Sequence, residues 1–435
     1  MANRQKHWNL GYPKGVADMK KGFRACLALT SLLFISSAWS ADWPQFQGPD
    51  RNGISPEKGL LKQWPEGGAP VSWSVEVGPG FGGVAIRGGE VYLLDREPGE
   101  RDILRCFNLD TGEEIWSFPY KAPGKVQYPG SRTHPLVEGN LLFTVGPFGH
   151  MHCLDRETHA VLWKTNILEV YGGEVPRWGS SQCPLAYGET IIVTPIGSKA
   201  GVVALNKNSG KEIWISKPLV DEGSHGAYGS PMLATIGGVD QVLLSTPTET
   251  AGLNAATGEI LWRTQDWQCR IPITSPFHVG DGKVFVTGGY RAGAAMFQIS
   301  QKQGSFECKT LYKTNQCNCQ IHQPLLYKKY LYLNGNDKTK MYGMICLDLE
   351  GSLQWKTNRH PGFDWGGLLL ADGVIYVVDG DTGDLCTMDP SPKKYKELSR
   401  MPLLSGKQIW GTVALSEGRL LCRDQTHLKC VDIRK

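Results

Sequence analysis

The sequence is poor in helical signal. No segment carries apolar residues at helical spacing for long, and the one sustained apolar run, Ala25 to Ile35, is shorter than the roughly 20 residues a membrane span needs. Familiar catalytic signatures are missing as well. There is no Cys-Cys pair, no Cys-x-x-Cys-His, no Gly-x-Ser-x-Gly, no P-loop and no His-Glu-x-x-His. These absences exclude covalent haem attachment and argue against a serine-hydrolase elbow, a Walker-type phosphate cradle and a zincin site. Gly78-x-Gly80-x-x-Gly83 matches a dinucleotide fingerprint in letters only, because the run Val84 to Ile86 that follows is a strand where a helix is required. Net charge is scarce too. Residues 1–40 hold six of the 46 Lys and Arg and one of the 42 Asp and Glu, so the remainder carries 40 basic against 41 acidic residues. That balance gives no support to a nucleic-acid partner.

What the chain has is a repeat. CFNLDTGEEIW, Cys106 to Trp116, returns as CLDRETHAVLW ending at Trp163, ALNKNSGKEIW ending at Trp214 and GLNAATGEILW ending at Trp262. A shortened copy ends at Trp355 and a worn one at Tyr312. The steps between the first four end points are 47, 51 and 48 residues, a period that points to propellers or helical arrays. Short β-branched runs such as Val91 to Leu94, Leu141 to Val145 and Val374 to Val378 decide for strands. They are apolar at consecutive positions, as expected of sheets covered on both faces.

The reading is an all-β, eight-bladed β-propeller of four-stranded antiparallel blades over residues 71–435. Inner strands are expected to start at Phe81, Arg132, Ser180, Gly229, Thr274, His322, Trp365 and Trp410, five of them with an X-Pro pair at the strand's beginning. The last unit stops before any Trp strand, and VSWSVEV, Val71 to Val77, has no unit of its own. This lone strand is therefore expected to close the ring as the outer strand of the last blade. Residues 1–40 read as a secretory signal peptide: Lys20, Lys21 and Arg24, an apolar run, then Ala38-Trp39-Ser40 before Ala41. Met19 stands as an alternative start. Residues 41–70, turn-rich and out of the repeat, read as an N-terminal cover, a ligand role being the lesser reading. An exported monomer, periplasmic or secreted, with no membrane anchor after cleavage, is the expectation.

The eleven-residue pattern resembles the tryptophan-docking motif of the PQQ-like, or quinoprotein-type, β-propellers, with Trp73, Trp116, Trp163, Trp214, Trp262, Tyr312 and Trp355 in the docking place. DWPQFQGPDRNGIS (Asp42 to Ser55), GGEVPRWGSSQCPL (Gly172 to Leu185) and LLCRDQ (Leu420 to Gln425) resemble secreted planctomycete-type members, related to the outer-membrane assembly scaffold propeller. The resemblance implies two functional classes. One, the preferred reading, is a non-catalytic scaffold for a protein, small-molecule or carbohydrate ligand, with no cofactor expected; a polysaccharide-binding surface protein stands as a separate alternative. The other is a PQQ- and Ca²⁺-dependent alcohol or sugar dehydrogenase, for which Asp364 is the nominated catalytic carboxylate.

Independently of that resemblance, residues at the N-terminal ends of inner strands converge on the axis of a propeller. The candidates are Arg132, His134, Arg177, Trp178, Gln182, His225, Tyr228, Arg270, His322, Trp365 and Trp410. Stacking faces with fork-shaped donors suit a planar or sugar-like, anionic ligand. Cys317-x-Cys319-x-x-His322 sets out two thiolates and an imidazole for a metal, but lacks a fourth ligand and a zinc-module spacing, so free or oxidised thiols are the preferred reading. Asp379-Gly-Asp381-Thr-Gly-Asp384 reads as a hairpin turn rather than a calcium loop.

Overall fold

The computed structural model describes residues 41–219, 227–337 and 339–435. The expected signal peptide lies outside the described residues. Eight sheets account for nearly all the regular structure. The first blade shows the plan: Ala85–Arg87, Glu90–Glu97, Gly99–Asn108 and Glu114–Gly124 pair antiparallel in chain order from the inside out. Blades 2 to 7 repeat it, with inner strands Leu136–Glu138, Leu185–Tyr187, Met232–Ile236, Phe277–Gly280, Leu325–Tyr327 and Leu368–Ala371. Second and third strands are apolar on both faces because each blade is sandwiched between two others; Val91 to Leu94 are fully buried.

The ring closes as the sequence suggests. Val71–Glu76 pairs antiparallel with His427–Asp432 as the outermost strand of blade 8, outside Ala414–Ser416 and Arg419–Arg423. Inner strands begin three to five residues later than expected, and each X-Pro proline sits immediately before its strand, as Pro135 does before Leu136 and Pro184 before Leu185. A proline there removes no ladder donor, and the displaced residues are left free to line the channel mouth. One helix, Ile167–Tyr171, was not anticipated; Asn166 caps its start and Gly172, in the left-handed region, its end.

Blades lean on one another through the repeat. The Trp73 indole donates to Leu109 O at 2.8 Å and lies over Gly112, where a Cβ would stand 2.6 Å from the ring. Trp163 bears the same relation to Lys207 O and Gly210; Trp214 packs over Gly258 and Tyr312 over Gly351 without a hydrogen bond from the ring, each in the following blade. Trp116 stacks on His159 at 4.4 Å, and His159 takes a left-handed φ of 60° in the place where other copies have glycine. Trp355 donates to Ser391 O. Trp262 departs from the rule: its indole donates to Gln241 Oε1 in its own blade, because blade 5 joins its long strands Gly293–Lys302 and Ser305–Thr314 by a tight hairpin instead of the Thr-Gly turn.

The N-terminal segment enters the ring rather than lying over it. Trp43 bridges Ile86 of blade 1, Pro44 O accepts Val137 N of blade 2, and Ile54–Ser55 pairs parallel with Leu370 and Ala371 of blade 7. Arg51 donates to Pro184 O and Pro231 O of blades 3 and 4, both at 3.0 Å. Glu57 accepts Glu417 N and Gly418 N of blade 8. The inner edges of a propeller present unpaired backbone groups to the channel, and this segment satisfies many of them.

Candidate functional site

A cavity of about 300 Å³ opens on the axis where the inner strands are approached. Nine of the sequence candidates line it: Arg132, His134, Arg177, Trp178, Tyr228, Arg270, His322, Trp365 and Trp410. Two do not contribute a wall. Gln182 instead ties blade 3 to blade 4, its Nε2 donating to Gly229 O at 3.2 Å, and His225 lies outside the described residues. Asp364 stands behind the wall, its Oδ2 accepting the Trp410 indole N–H at 3.0 Å.

The aromatic wall centres on Trp410. Its ring stacks on Phe81 at 5.4 Å and meets Trp365 and Tyr128 edge-on at 4.7 and 5.7 Å. Trp365 in turn donates to Asn336 O. On the other side Trp178 and Tyr228 pack at 5.4 Å, and Gln127 Oε1 accepts both the Trp178 indole N–H and Arg177 Nε. Phe81, Gln127, Tyr128 and Tyr290 escaped the sequence reading. The signal available for the first three was connection length: they sit on the long irregular links between an outer strand and the next inner strand, whereas Tyr290 sits in the turn between Lys283–Gly288 and Gly293–Lys302 of blade 5.

The cavity is positively charged at its mouth. Arg177 and Arg270 are exposed, and Arg270 makes no hydrogen bond or ion pair among the described residues. Arg132 is partly buried over Phe81 and donates to the carbonyls of Gln127, Tyr128 and Gly130; burial lowers its pKa to about 10, which leaves it charged at neutral pH. Deeper, the two imidazoles are neutral. His134 Nε2 accepts Gly83 N–H and faces Thr412 Oγ1, and burial pushes its pKa down to about 3. His322 donates Nε2–H to Trp365 O at 2.7 Å, and burial lowers its pKa to about 4. Among the described residues, no Asp or Glu lines the cavity.

Phe46 and Gln47 of the N-terminal segment also line the cavity. Nothing in the sequence pattern places them there, because their segment is outside the repeat. The Cys317, Cys319 and His322 set is not assembled: the two thiols are fully buried between blades, with Cys317 against Thr287 Oγ1, while His322 is committed to Trp365. No group of three or more His, Cys, Asp or Glu among the described residues is placed to hold a metal ion. A Ca²⁺ ion, which takes about six to eight oxygen ligands, does not fit a lining without carboxylates, whereas aromatic walls and arginines fit a planar anion. The Asp379 loop is the expected hairpin turn, with Asp379 Oδ1 accepting Asp381 N.

A family model described as the outer membrane protein assembly factor BamB matches residues 99–333. The quinoprotein alcohol dehydrogenase PedH of Pseudomonas putida is 23% identical over 291 residues, which is 61% of this chain and 45% of that protein, so the chain spans less than half of that relative's length. Among solved structures, BamB from Moraxella catarrhalis superposes with a TM-score of 0.57 at 14% identity, over 84% of this chain and 100% of that one. A europium-containing methanol dehydrogenase gives 0.59 at 13%, over 90% and 89%. A quinohemoprotein alcohol dehydrogenase from Comamonas testosteroni gives 0.61 at 12%, over 91% and 81%. Likeness at such identities shows fold alone. With a family model matched over more than half its length and eight four-stranded blades closed into a ring, the chain belongs to the PQQ-like β-propeller family.

Proposed function

We propose that this chain is an exported binding propeller that takes a small anionic ligand with a planar or sugar-like body into its axial pocket without turning it over. The observation that carries this reading is the pocket itself: aromatic walls, three guanidinium groups, no carboxylate among the described lining residues, and two lining residues, Phe46 and Gln47, supplied by the chain's own N-terminal segment. Polyanions and extended polymers are less well served. A cavity of about 300 Å³ is at the low end of ordinary ligand cavities and small for a polymer. The lack of a carboxylate among the described lining residues weighs against the dehydrogenase reading, since a base must stand beside the metal there. Asp364, the nominated base, is held by Trp410 behind the wall.

The test is thermal unfolding with and without PQQ, with and without Ca²⁺, beside a dye-linked alcohol oxidation assay. A ligand confined to the folded state raises stability by about 2.7 kcal/mol at a hundredfold excess over its dissociation constant. Stabilisation by small aromatic anions with no turnover supports the binding reading. A calcium-dependent shift with dye reduction would make this a quinoprotein dehydrogenase.

A further inference from the structure

The indole N–H groups of the cavity wall are all donated to the protein: Trp178 to Gln127 Oε1, Trp365 to Asn336 O and Trp410 to Asp364 Oδ2. What these rings present to the cavity is carbon. With no Asp or Glu among the described lining residues, acceptors for a ligand's own hydrogens are scarce there.

Two imidazoles line the same cavity, and their free nitrogens are differently placed. His134 Nε2 accepts Gly83 N–H and faces Thr412 Oγ1, while its Nδ1 is sealed from open space. His322 is the opposite case. Its Nε2 lies 2.7 Å from Trp365 O, and a carbonyl oxygen can only accept, so the ring proton is on Nε2. A neutral imidazole carries one N–H, and burial keeps this one neutral by lowering its pKa to about 4, which leaves Nδ1 as a bare acceptor. Nδ1 has no hydrogen-bond partner among the described residues, yet unlike the Nδ1 atoms of His134, His150 and His152 it is not shut off from open space. His322 is only 4% exposed, and the open space beside it is the cavity that it lines.

The backbone fixes the ring in this attitude. His322 lies in the link between Ser305–Thr314 of blade 5 and Leu325–Tyr327 of blade 6, and Trp365 in the link from blade 6 to blade 7, so the bond from Nε2 to Trp365 O ties two links together. An acceptor held among aromatic rings is satisfied by an O–H and gains nothing from a methyl group or an anion.

We propose that His322 is the specificity-determining residue of the axial pocket, its Nδ1 accepting the hydroxyl hydrogen of the ligand, and that the ligand class is a hydroxylated aromatic acid: a flat ring between the tryptophans, an anionic group towards the arginines and a phenolic hydroxyl towards His322. This rests on the reading of the cavity as a ligand site. A phenol is a more acidic donor than an alcohol, with a pKa of about 10, and so the better match for a neutral imidazole.

The probes are 3- and 4-hydroxybenzoate, 3- and 4-methylbenzoate, which match them in size without the donor, and benzoate, titrated calorimetrically into the purified protein at neutral pH. At least one hydroxy isomer is expected to bind about fivefold or more tightly than its methyl counterpart, as one net hydrogen bond allows. His322→Gln supplies an amide N–H for Trp365 O and no acceptor in the place of Nδ1, and His322→Phe keeps a ring without either nitrogen. Each is expected to bring the ratio within about twofold. Melting curves establish that the variants fold, and nitrogen-15 spectra of the parent need no variant: the His322 Nδ1 resonance should move on adding the preferred hydroxy isomer and stay in place with benzoate. Benzoate binding without a hydroxyl preference, a preference that survives both variants, or an Nδ1 resonance indifferent to the hydroxyl would overturn the assignment to His322 alone. Failure of all the probes, benzoate included, to bind the folded parent would overturn the pocket reading with it.

Discussion

Closing the ring between distant segments makes the seam at Trp73 the place to perturb. Trp73 is 7% exposed, donates to Leu109 O and covers Gly112. Trp73→Ala removes a buried indole and is expected to cost about 4 kcal/mol, with about 1 kcal/mol more for the carbonyl left without its donor. Gly112→Ala acts on the other side of the contact. Its φ of 73° strains an alanine by about 1 kcal/mol, and the new Cβ, 2.6 Å from the indole, adds about 2 kcal/mol of overpacking. In the double variant the overpacking disappears because there is no ring to strike, so the combined loss should fall short of the sum by about 2 kcal/mol. Urea unfolding followed by far-ultraviolet circular dichroism measures all four corners of the cycle. Additivity within about 0.5 kcal/mol would refute the claim that the glycine exists to admit the indole.

Other consequences can be measured alongside it. Arg177→Gln and Arg270→Gln should each weaken a small aromatic anion about three- to tenfold, less so at high salt, because both are exposed charges at the mouth; titration at two ionic strengths checks this. The buried imidazoles bear on acid stability. A histidine whose folded pKa lies below its unfolded value of about 6.5 leaves the unfolded state with the greater proton uptake, so stability falls as pH drops from about 6.5 towards 4. His322→Gln should flatten that slope in denaturant titrations, and binding should be insensitive to His134 and His322 between pH 5 and 8. Glu57→Gln replaces the carboxylate that accepts Glu417 N and Gly418 N, and is expected to cost about 1 to 2 kcal/mol and to speed tryptic cleavage at exposed Lys58.

The blades were legible because the repeat is written twice over, once in the strand residues and once in the contact between copies. A glycine in the seventh place of one copy answers the tryptophan of the copy before, so a single spacing carries both strand order and packing. Even His159 obeys the backbone demand of that place, although its letter hides it. Trp262 shows the limit: the partner turn is gone from blade 5, and no local feature says that the indole will turn back to Gln241. The pocket was half legible. Residues just before the inner strands converge by symmetry, so Arg132, His134, Trp365 and Trp410 could be named from spacing alone. Phe46 and Gln47 could not, since their position depends on hydrogen bonds to residues 43 to more than 300 positions away, and such pairings leave no periodic trace. Gln182 fell on the right strand end but on the side facing blade 4.

The closing strand has a temporal meaning. Val71–Glu76 precedes all eight inner strands in the chain, yet its partner His427–Asp432 follows every other blade strand, and Ile54–Ser55 must likewise wait for Leu368–Ala371. Until His427–Asp432 is available, Val71–Glu76 lacks its partner strand and Trp73 is left unsheltered, and the cavity lacks its Trp410 wall until blade 8 is made. Domains in general fold as their segments emerge. This ring closes only when its last blade pairs with Val71–Glu76, so the axial cavity is complete only then, and the interval before closure is when the chain most needs protection from aggregation.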